Sequence, residues 1–144
     1  MYEERWHLAI EASEMGVWDW NIPQDSLTWD KQALQVFGID SQEFVNNKHS
    51  FNANIHPDDL EFVQKCTQMA LDKDDKCHIT FRYLQKDGSY TIITSKSKVS
   101  RNSEGKAVRL TGVCYREPLW VNDLCPYAAT GSCQMHKSLK AKLK

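Results

Sequence analysis

Three side chains near the end of the sequence have the types and spacing that suit metal binding. Cys125, Cys133 and His136 lie close together in the chain. Thiolate sulfur and imidazole nitrogen are the ligands that tetrahedral zinc prefers, but a closed structural site needs four of them. The fourth would have to come from Cys114, from another subunit or from water. The segment is therefore interpreted either as a zinc site or as a solvated basic tail that ends in the lysine-rich residues 137–144.

No set of residues indicates a catalytic centre. The sequence has no Gly-x-Ser-x-Gly nucleophile motif, no glycine-rich phosphate loop and no His-Glu-x-x-His motif. His56 has no nucleophile beside it in sequence, and it is interpreted as a residue that fixes the start of a helix at Pro57. The adjacent Asp58 and Asp59 suit the positive end of that helix, where we expect both to be solvated. We therefore expect a protein without enzymatic activity of its own.

Composition is typical of one globular domain. Of 144 residues, 41% are hydrophobic and 26% are charged, and the formal net charge is -1. This charge gives no general attraction to nucleic acid or to anionic membranes, and no apolar run approaches the ~18 residues that span a bilayer. The five cysteines are irregularly spaced and do not form an even disulfide framework. We expect a cytoplasmic protein that binds neither nucleic acid nor membrane.

The hydrophobic pattern predicts helices and antiparallel strands in a fixed order. Residues 1–15 have the spacing of a helix, and alternation predicts strands over residues 16–22, 26–29, 77–85, 90–100 and 108–115. Short helices are expected from Asp30 to Gly38 and at the capping box of residues 40–43, whereas residues 45–54 are expected to form a loop. The longest internal helix begins at Pro57. The fold class is therefore α+β: a five-stranded antiparallel sheet with short helices on one face and an N-terminal flanking helix.

Four motifs resemble those of a PAS domain. They are Gly16-Val-Trp-Asp-Trp20, Ile55-His-Pro-Asp-Asp59, Phe81-Arg-Tyr-Leu-Gln-Lys-Asp-Gly-Ser-Tyr90 and Leu110-Thr-Gly112. The second and third are similar to the His-Pro-Asp-Asp helix start and the Arg-x-x-x-Lys-Asp-Gly-Ser hairpin of the bacterial sensor type. The resemblance implies a flanking helix over residues 1–15, a PAS domain over residues 16–117 and a separate Cys/His-containing basic tail over residues 118–144.

The resemblance also implies a cavity between the sheet and the long helix. We expect it to be lined by Trp18, Trp20, Leu27, Trp29, Phe37, Phe62, Cys66, Met69, Phe81 and Ile92. The same side chains could instead fill a simple core, because aromatic side chains on sheets often pack on one another. Haem-binding members usually present a histidine from the helix over the sheet, and residues 58–72 contain none. The Asn-Cys-Arg-Phe-Leu segment of LOV-type flavin photoreceptors is also absent. We therefore expect neither haem nor such a flavin, and the identity of any ligand stays open.

The apolar surface of the flanking helix indicates that the protein forms a homodimer. Such helices often form the dimer contact of PAS domains, and here Trp6 and Ile10 would supply the apolar surface. The alternative is that Trp6 packs against its own sheet. The resemblance implies a sensory or regulatory module that binds a small ligand or a protein and reports to a downstream signalling protein. The alternative function is a metal-binding adaptor that works through the tail.

The end of the predicted domain departs from the pattern of many sensor PAS domains. Their final strand ends in Asp-Ile-Thr, whereas the matching positions here read Arg116-Glu117-Pro118. A proline would interrupt continuation of the strand into a helix. The usual route from the sheet to a downstream domain is therefore in doubt.

Overall fold

The computed structural model describes residues 2–41 and 45–117. Five strands and four α-helices follow one another in these residues, with a short π-helix, η1, before the third strand. Their bounds are α1 Tyr2–Ser13, β1 Gly16–Asn21, β2 Ser26–Trp29, α2 Lys31–Phe37, α3 Lys48–Asn52, α4 Pro57–Met69, η1 Ala70–Asp74, β3 Lys76–Leu84, β4 Tyr90–Arg101 and β5 Ala107–Arg116. No helix in this part of the chain is long and apolar enough to cross a membrane.

The strands form one antiparallel sheet in the order β2-β1-β5-β4-β3. The first and last strands in sequence therefore meet at the centre, where Trp18 pairs with Gly112 and Gly112 pairs with Ser97. Strand β3 is at the edge, and its buried residues Cys77, Ile79, Phe81 and Tyr83 alternate with more exposed ones over most of its length. We call the side of the sheet that bears these four residues the inner face. This architecture confirms the predicted α+β fold.

Asp30 joins β1 to α2. Its Oδ1 atom accepts hydrogen bonds from the backbone N–H groups of Val17, at 3.0 Å, and of Ala33, at 2.7 Å. The helix lies so close to the strand that a Cβ atom on Gly16 would be 2.3 Å from the Cα atom of Ala33. Only glycine fits this approach, because real Cβ atoms do not come so near to backbone atoms. The helix ends, as predicted, at Gly38, whose φ of 69° is left-handed.

Two helices differ from the sequence predictions. Residues 48–52 form α3 rather than a loop, because the Asn47 side chain accepts a hydrogen bond from Ser50 N–H and caps the helix. Apolar spacing predicts that the long helix buries Phe62, Val63, Cys66, Met69 and Ala70. Val63 and Ala70 are buried, but Phe62 and Met69 are exposed and Cys66 is only partly buried. Asp59 and Thr67 are buried in their place, because both polar side chains have hydrogen-bond partners inside the protein. The capping box predicted for residues 40–43 lies partly outside the described residues.

The N-terminal helix α1 has the predicted position and buries none of its residues. Trp6 is 52% exposed and lines a shallow groove on the outer face of the sheet, together with Val17, Val113 and the stems of lysines. Ile10 is half-buried. Trp6 therefore lies against its own sheet, as one alternative predicted. About half of its surface is still exposed to solvent and available for a dimer contact, which was the other alternative.

Candidate ligand pocket

A small pocket lies between the inner face of the sheet and helices α3 and α4. Its volume is about 30 Å³, enough for about two water molecules. Apolar side chains from both layers form most of its wall, and a few polar groups interrupt them. This combination of an apolar wall with a small number of polar groups is typical of ligand sites in proteins.

Six of the predicted cavity residues line this pocket: Trp18, Trp20, Leu27, Trp29, Phe37 and Phe81. The sheet brings four of them together, because Trp18 pairs with Trp29 and Trp20 pairs with Leu27 across β1 and β2. Phe37 reaches the same space from the end of α2 and contacts the Trp29 ring edge-on, at a centroid distance of 5.0 Å. Alternation on the strands therefore identified the aromatic wall correctly.

The other four predicted residues do not line the pocket. Phe62 and Met69 are 49% and 55% exposed, because α4 presents Val63 and Thr67 to the sheet instead. Cys66 is only partly buried and packs at the margin of the core. The neighbouring Ile93 is fully buried, and strand alternation puts Ile92 on the opposite face of β4. The lining prediction is wrong for these four residues.

Lys48 is the functional group that the sequence analysis missed. It lies at the start of α3 and lines the pocket, in a segment that was expected to form a loop. Its Nζ atom is 5.2 Å from the centroid of the Trp20 ring and 5.3 Å from that of Phe51. Burial lowers the pKa of the Lys48 amine to about 8. The only signal in the sequence is Asn47 with Ser50, a helix-capping pair that places the lysine on a helix.

Hydroxyl and thiol groups complete the polar part of the pocket. Trp18 Nε1 donates a hydrogen bond to Ser95 Oγ at 3.1 Å. Thr67 Oγ1 donates to the carbonyl oxygen of Val63 at 2.8 Å. Burial raises the pKa of the Cys77 thiol to about 11, so the thiol is protonated near neutral pH. It therefore has no thiolate to act as a nucleophile or metal ligand there.

A second buried polar group lies outside the pocket, where α4 begins beside the edge strand. Asp59 is 3% exposed and receives three hydrogen bonds from Arg82: from Nε at 3.0 Å, from Nη2 at 3.1 Å and from the backbone N–H at 2.9 Å. The side chain of its neighbour Asp58 is 75% exposed. The expectation of solvation is thus wrong for Asp59, because Arg82 crosses from the edge strand to pair with it.

His56 has the structural role that was expected for it. Its Nδ1 atom accepts a hydrogen bond from Asp58 N–H at 3.1 Å, which caps the first turn of α4. Its ring lies against Tyr90 with a centroid distance of 4.7 Å. The His-Pro-Asp-Asp motif therefore builds the start of a helix.

The end of β5, which departs from the Asp-Ile-Thr pattern, makes hydrogen bonds to the elements on both sides of it. Arg116 donates to the carbonyl oxygens of Val36, at 2.9 Å, and Gln35, at 3.2 Å, and so satisfies the end of α2. Glu117 accepts a 2.5 Å hydrogen bond from the buried Thr94 and donates its backbone N–H to Ile92. Arg116 and Glu117 thus connect the end of the last strand to α2 and to β4.

The predicted metal ligands Cys125, Cys133 and His136 lie outside the described residues. Within residues 2–41 and 45–117, no group of three or more His, Cys, Asp or Glu side chains is arranged to hold a metal ion. The cysteines of this region, Cys66, Cys77 and Cys114, are free thiols.

The chain is similar in sequence to two much longer proteins. Over 110 residues, 76% of this chain, it is 28% identical to a probable diguanylate cyclase, DgcE, of Escherichia coli and 24% identical to the sensor protein FixL of Bradyrhizobium diazoefficiens. The chain spans only 10% of the cyclase and 22% of FixL.

A solved structure and a family model agree on the fold. A sensory box histidine kinase/response regulator from Burkholderia thailandensis superposes with a TM-score of 0.68 at 22% identity, covering 83% of this chain and 89% of that one. The model of the PAS fold family matches residues 26–114, which include four of the five strands and the pocket helices α3 and α4. The chain therefore belongs to the PAS fold family.

Proposed function

We propose that this chain is a cytoplasmic sensory module of the bacterial His-Pro-Asp-Asp and Lys-Asp-Gly-Ser type, which binds a small ligand or a protein partner and acts in signal transduction. The pocket carries this proposal, because six aromatic and aliphatic side chains predicted from the sequence line it. Both curated relatives are much longer than this chain and are named as a sensor protein and a probable diguanylate cyclase. A role in sensing for a separate output domain agrees with these names.

The module would act as a homodimer without catalysis of its own. Three apolar side chains of α1 are strongly exposed: Tyr2 at 88%, Leu8 at 60% and Trp6 at 52%. A helix with such a surface gains free energy when a second helix covers it. Occupancy of the pocket would then shift the population of helix packings and so reach the downstream signalling protein.

Native mass spectrometry of protein purified without added ligands or metals tests this proposal. We expect a dimer that carries an additional small-molecule mass, and we expect Trp6→Ala with Ile10→Ala to yield monomers that keep the fold by circular dichroism. Phe62→Ala, which removes an aromatic side chain of comparable exposure from α4, is the matched control. A bound zinc that Cys133→Ala removes would favour the adaptor function of the tail instead. A ligand-free monomer would contradict the proposal.

A further inference from the structure

The ammonium group of Lys48 has no hydrogen-bond acceptor among the described residues. The backbone N–H of Lys48 donates to Asp25 Oδ1 at 3.0 Å, whereas its Nζ atom lies over the faces of two aromatic rings, 5.2 Å from the centroid of Trp20 and 5.3 Å from that of Phe51. An aromatic face attracts a cation without accepting any of its three N–H groups. Lys48 is half-buried, and its Nζ atom is not among the fully buried unpaired atoms of the described residues, so water can reach it in the free protein. A ligand that displaces this water finds three donors on the ammonium group.

The charged and titratable groups around Lys48 do not accept a hydrogen bond from its ammonium group. Asp25 stabilises the ammonium through its charge, but its Oδ1 already accepts from Trp20 Nε1 and from the Lys48 backbone. Cys77 is the other titratable group that acts on Lys48, and its thiol is protonated near neutral pH. Of the two opposite charges, Asp25 and Lys48, only Lys48 lines the pocket, so it is the one charged side chain among the lining residues.

The remainder of the pocket selects for a short, mainly apolar molecule. Its wall is formed by indole, phenyl and aliphatic groups, and its volume of about 30 Å³ is that of about two water molecules, so the wall side chains must move apart to admit even a short acid. Ser95 accepts from Trp18 and keeps its own hydroxyl proton for donation, so the polar part of the wall can serve an acceptor but supplies no negative charge. An apolar body with a single anionic group matches both ends of this space.

On the basis of the proposed ligand-binding function, we propose that the pocket binds a short-chain carboxylic acid as its anion, with the carboxylate on the Lys48 ammonium and the alkyl chain against Trp18 and Trp20. Lys48 is then the residue that determines specificity for an acid over a neutral molecule of the same shape. A charge-assisted hydrogen bond in a poorly solvated site is strong enough for this discrimination.

Propionate and propionamide provide the test, because they are close in size and differ in charge. Each is titrated into the full chain at pH 7 while the indole N–H signals of Trp18 and Trp20 are followed by NMR. We expect propionate to bind at least tenfold more tightly than propionamide. Lys48→Met should make the two affinities equal, whereas Lys31→Met, which removes an exposed lysine charge from α2, should leave the ratio unchanged.

The wild-type protein gives a second readout that needs no variant. If propionate prefers the protonated amine tenfold, saturation must raise the pKa of Lys48 by about one unit, as the NMR shift of its Cε-bound protons would report. Propionate affinity should also fall as the pH rises above about 8, where the free amine loses its proton. Propionamide should produce neither effect.

Three contrary results have different meanings. Equal binding of both molecules to the wild-type protein would overturn the role of Lys48 and leave ligand binding by the pocket intact. Absence of binding by both would overturn this inference and count against small-molecule binding in the proposed function as well. A wild-type ratio that persists in folded Lys48→Met would place the anion site elsewhere and overturn the assignment.

Discussion

Two charged groups in this domain, one buried and one half-buried, have opposite surroundings. At the start of α4, Asp59 receives two side-chain hydrogen bonds and one backbone hydrogen bond from Arg82. In the pocket, the Lys48 ammonium lies on two aromatic rings and makes no hydrogen bond to a described residue. A fully satisfied pair stabilises one arrangement of the chain, whereas an unsatisfied charge is available for binding. The difference separates a structural role from a candidate functional one.

Removal of one member of the satisfied pair should have the largest effect. Asp59→Ala leaves Arg82 buried without its carboxylate, and we expect the free energy of unfolding to fall by about 3 to 5 kcal/mol, measured by urea denaturation. Asp58→Ala is the control: the Asp58 side chain is 75% exposed and only 3.9 Å from Arg82 Nη2 at its nearest, so its loss should cost about 0.3 to 1 kcal/mol through the helix dipole and this weak ion pair. Similar losses for the two variants would contradict the structural role of the pair.

The unsatisfied charge should appear as a pH dependence of stability. The pKa of Lys48 is about 8 in the folded protein against an ordinary 10.5. Between these pH values the unfolded chain binds more protons, so Lys48 makes stability rise with pH in this window, and its penalty is fully present below pH 8. Lys48→Met should therefore be the more stable protein at neutral pH.

Paired unfolding curves measure this effect. We expect the stability advantage of Lys48→Met to shrink by roughly 3 kcal/mol as the pH rises through the window. Comparison of the two proteins at each pH cancels the titration of all other groups. A constant difference from pH 7 to pH 10 would show that Lys48 titrates as an ordinary exposed lysine.

The smallest expected effect concerns the cap beside the ion pair. His56→Ala removes the acceptor of Asp58 N–H, and we expect a loss of about 1 kcal/mol in the free energy of unfolding. His56→Asn should restore part of this loss, because asparagine is a good helix cap. Thermal unfolding of the three proteins distinguishes the cap from the Tyr90 ring contact, which both variants lose. Equal stability of the two variants would assign the role of His56 to that ring contact.

Much of the fold could be predicted from local signals. Alternation marked the strands, Asp87-Gly88 marked the β3–β4 turn, and Pro57 and Gly38 marked the ends of helices. The aromatic wall followed as well, because a strand with period 2 puts Trp18 and Trp20 on one face. Such signals depend on residues that are neighbours in sequence, so they can be interpreted without knowledge of the rest of the chain.

The buried face of α4 could not be predicted in the same way. Hydrophobic spacing assigns Phe62 and Met69 to the interior, but Asp59 and Thr67 take part of that face because each has a hydrogen-bond partner there. The partner of Asp59 is 23 residues away, on another element. A polar residue becomes a core residue only when folding supplies such a partner.

The sequence by itself determined the order of the strands, the α+β class and the aromatic wall of the pocket, because propensity, turns and alternation are local properties of the chain. The tertiary structure decided which polar groups became buried and whether each found a partner. Arg82 reaches Asp59 and leaves it satisfied, while α3 brings the Lys48 ammonium onto Trp20 and Phe51 with no acceptor in the part of the chain that the structure describes. Burial and pairing of charge depend on distances between remote segments, and only the folded chain sets these distances.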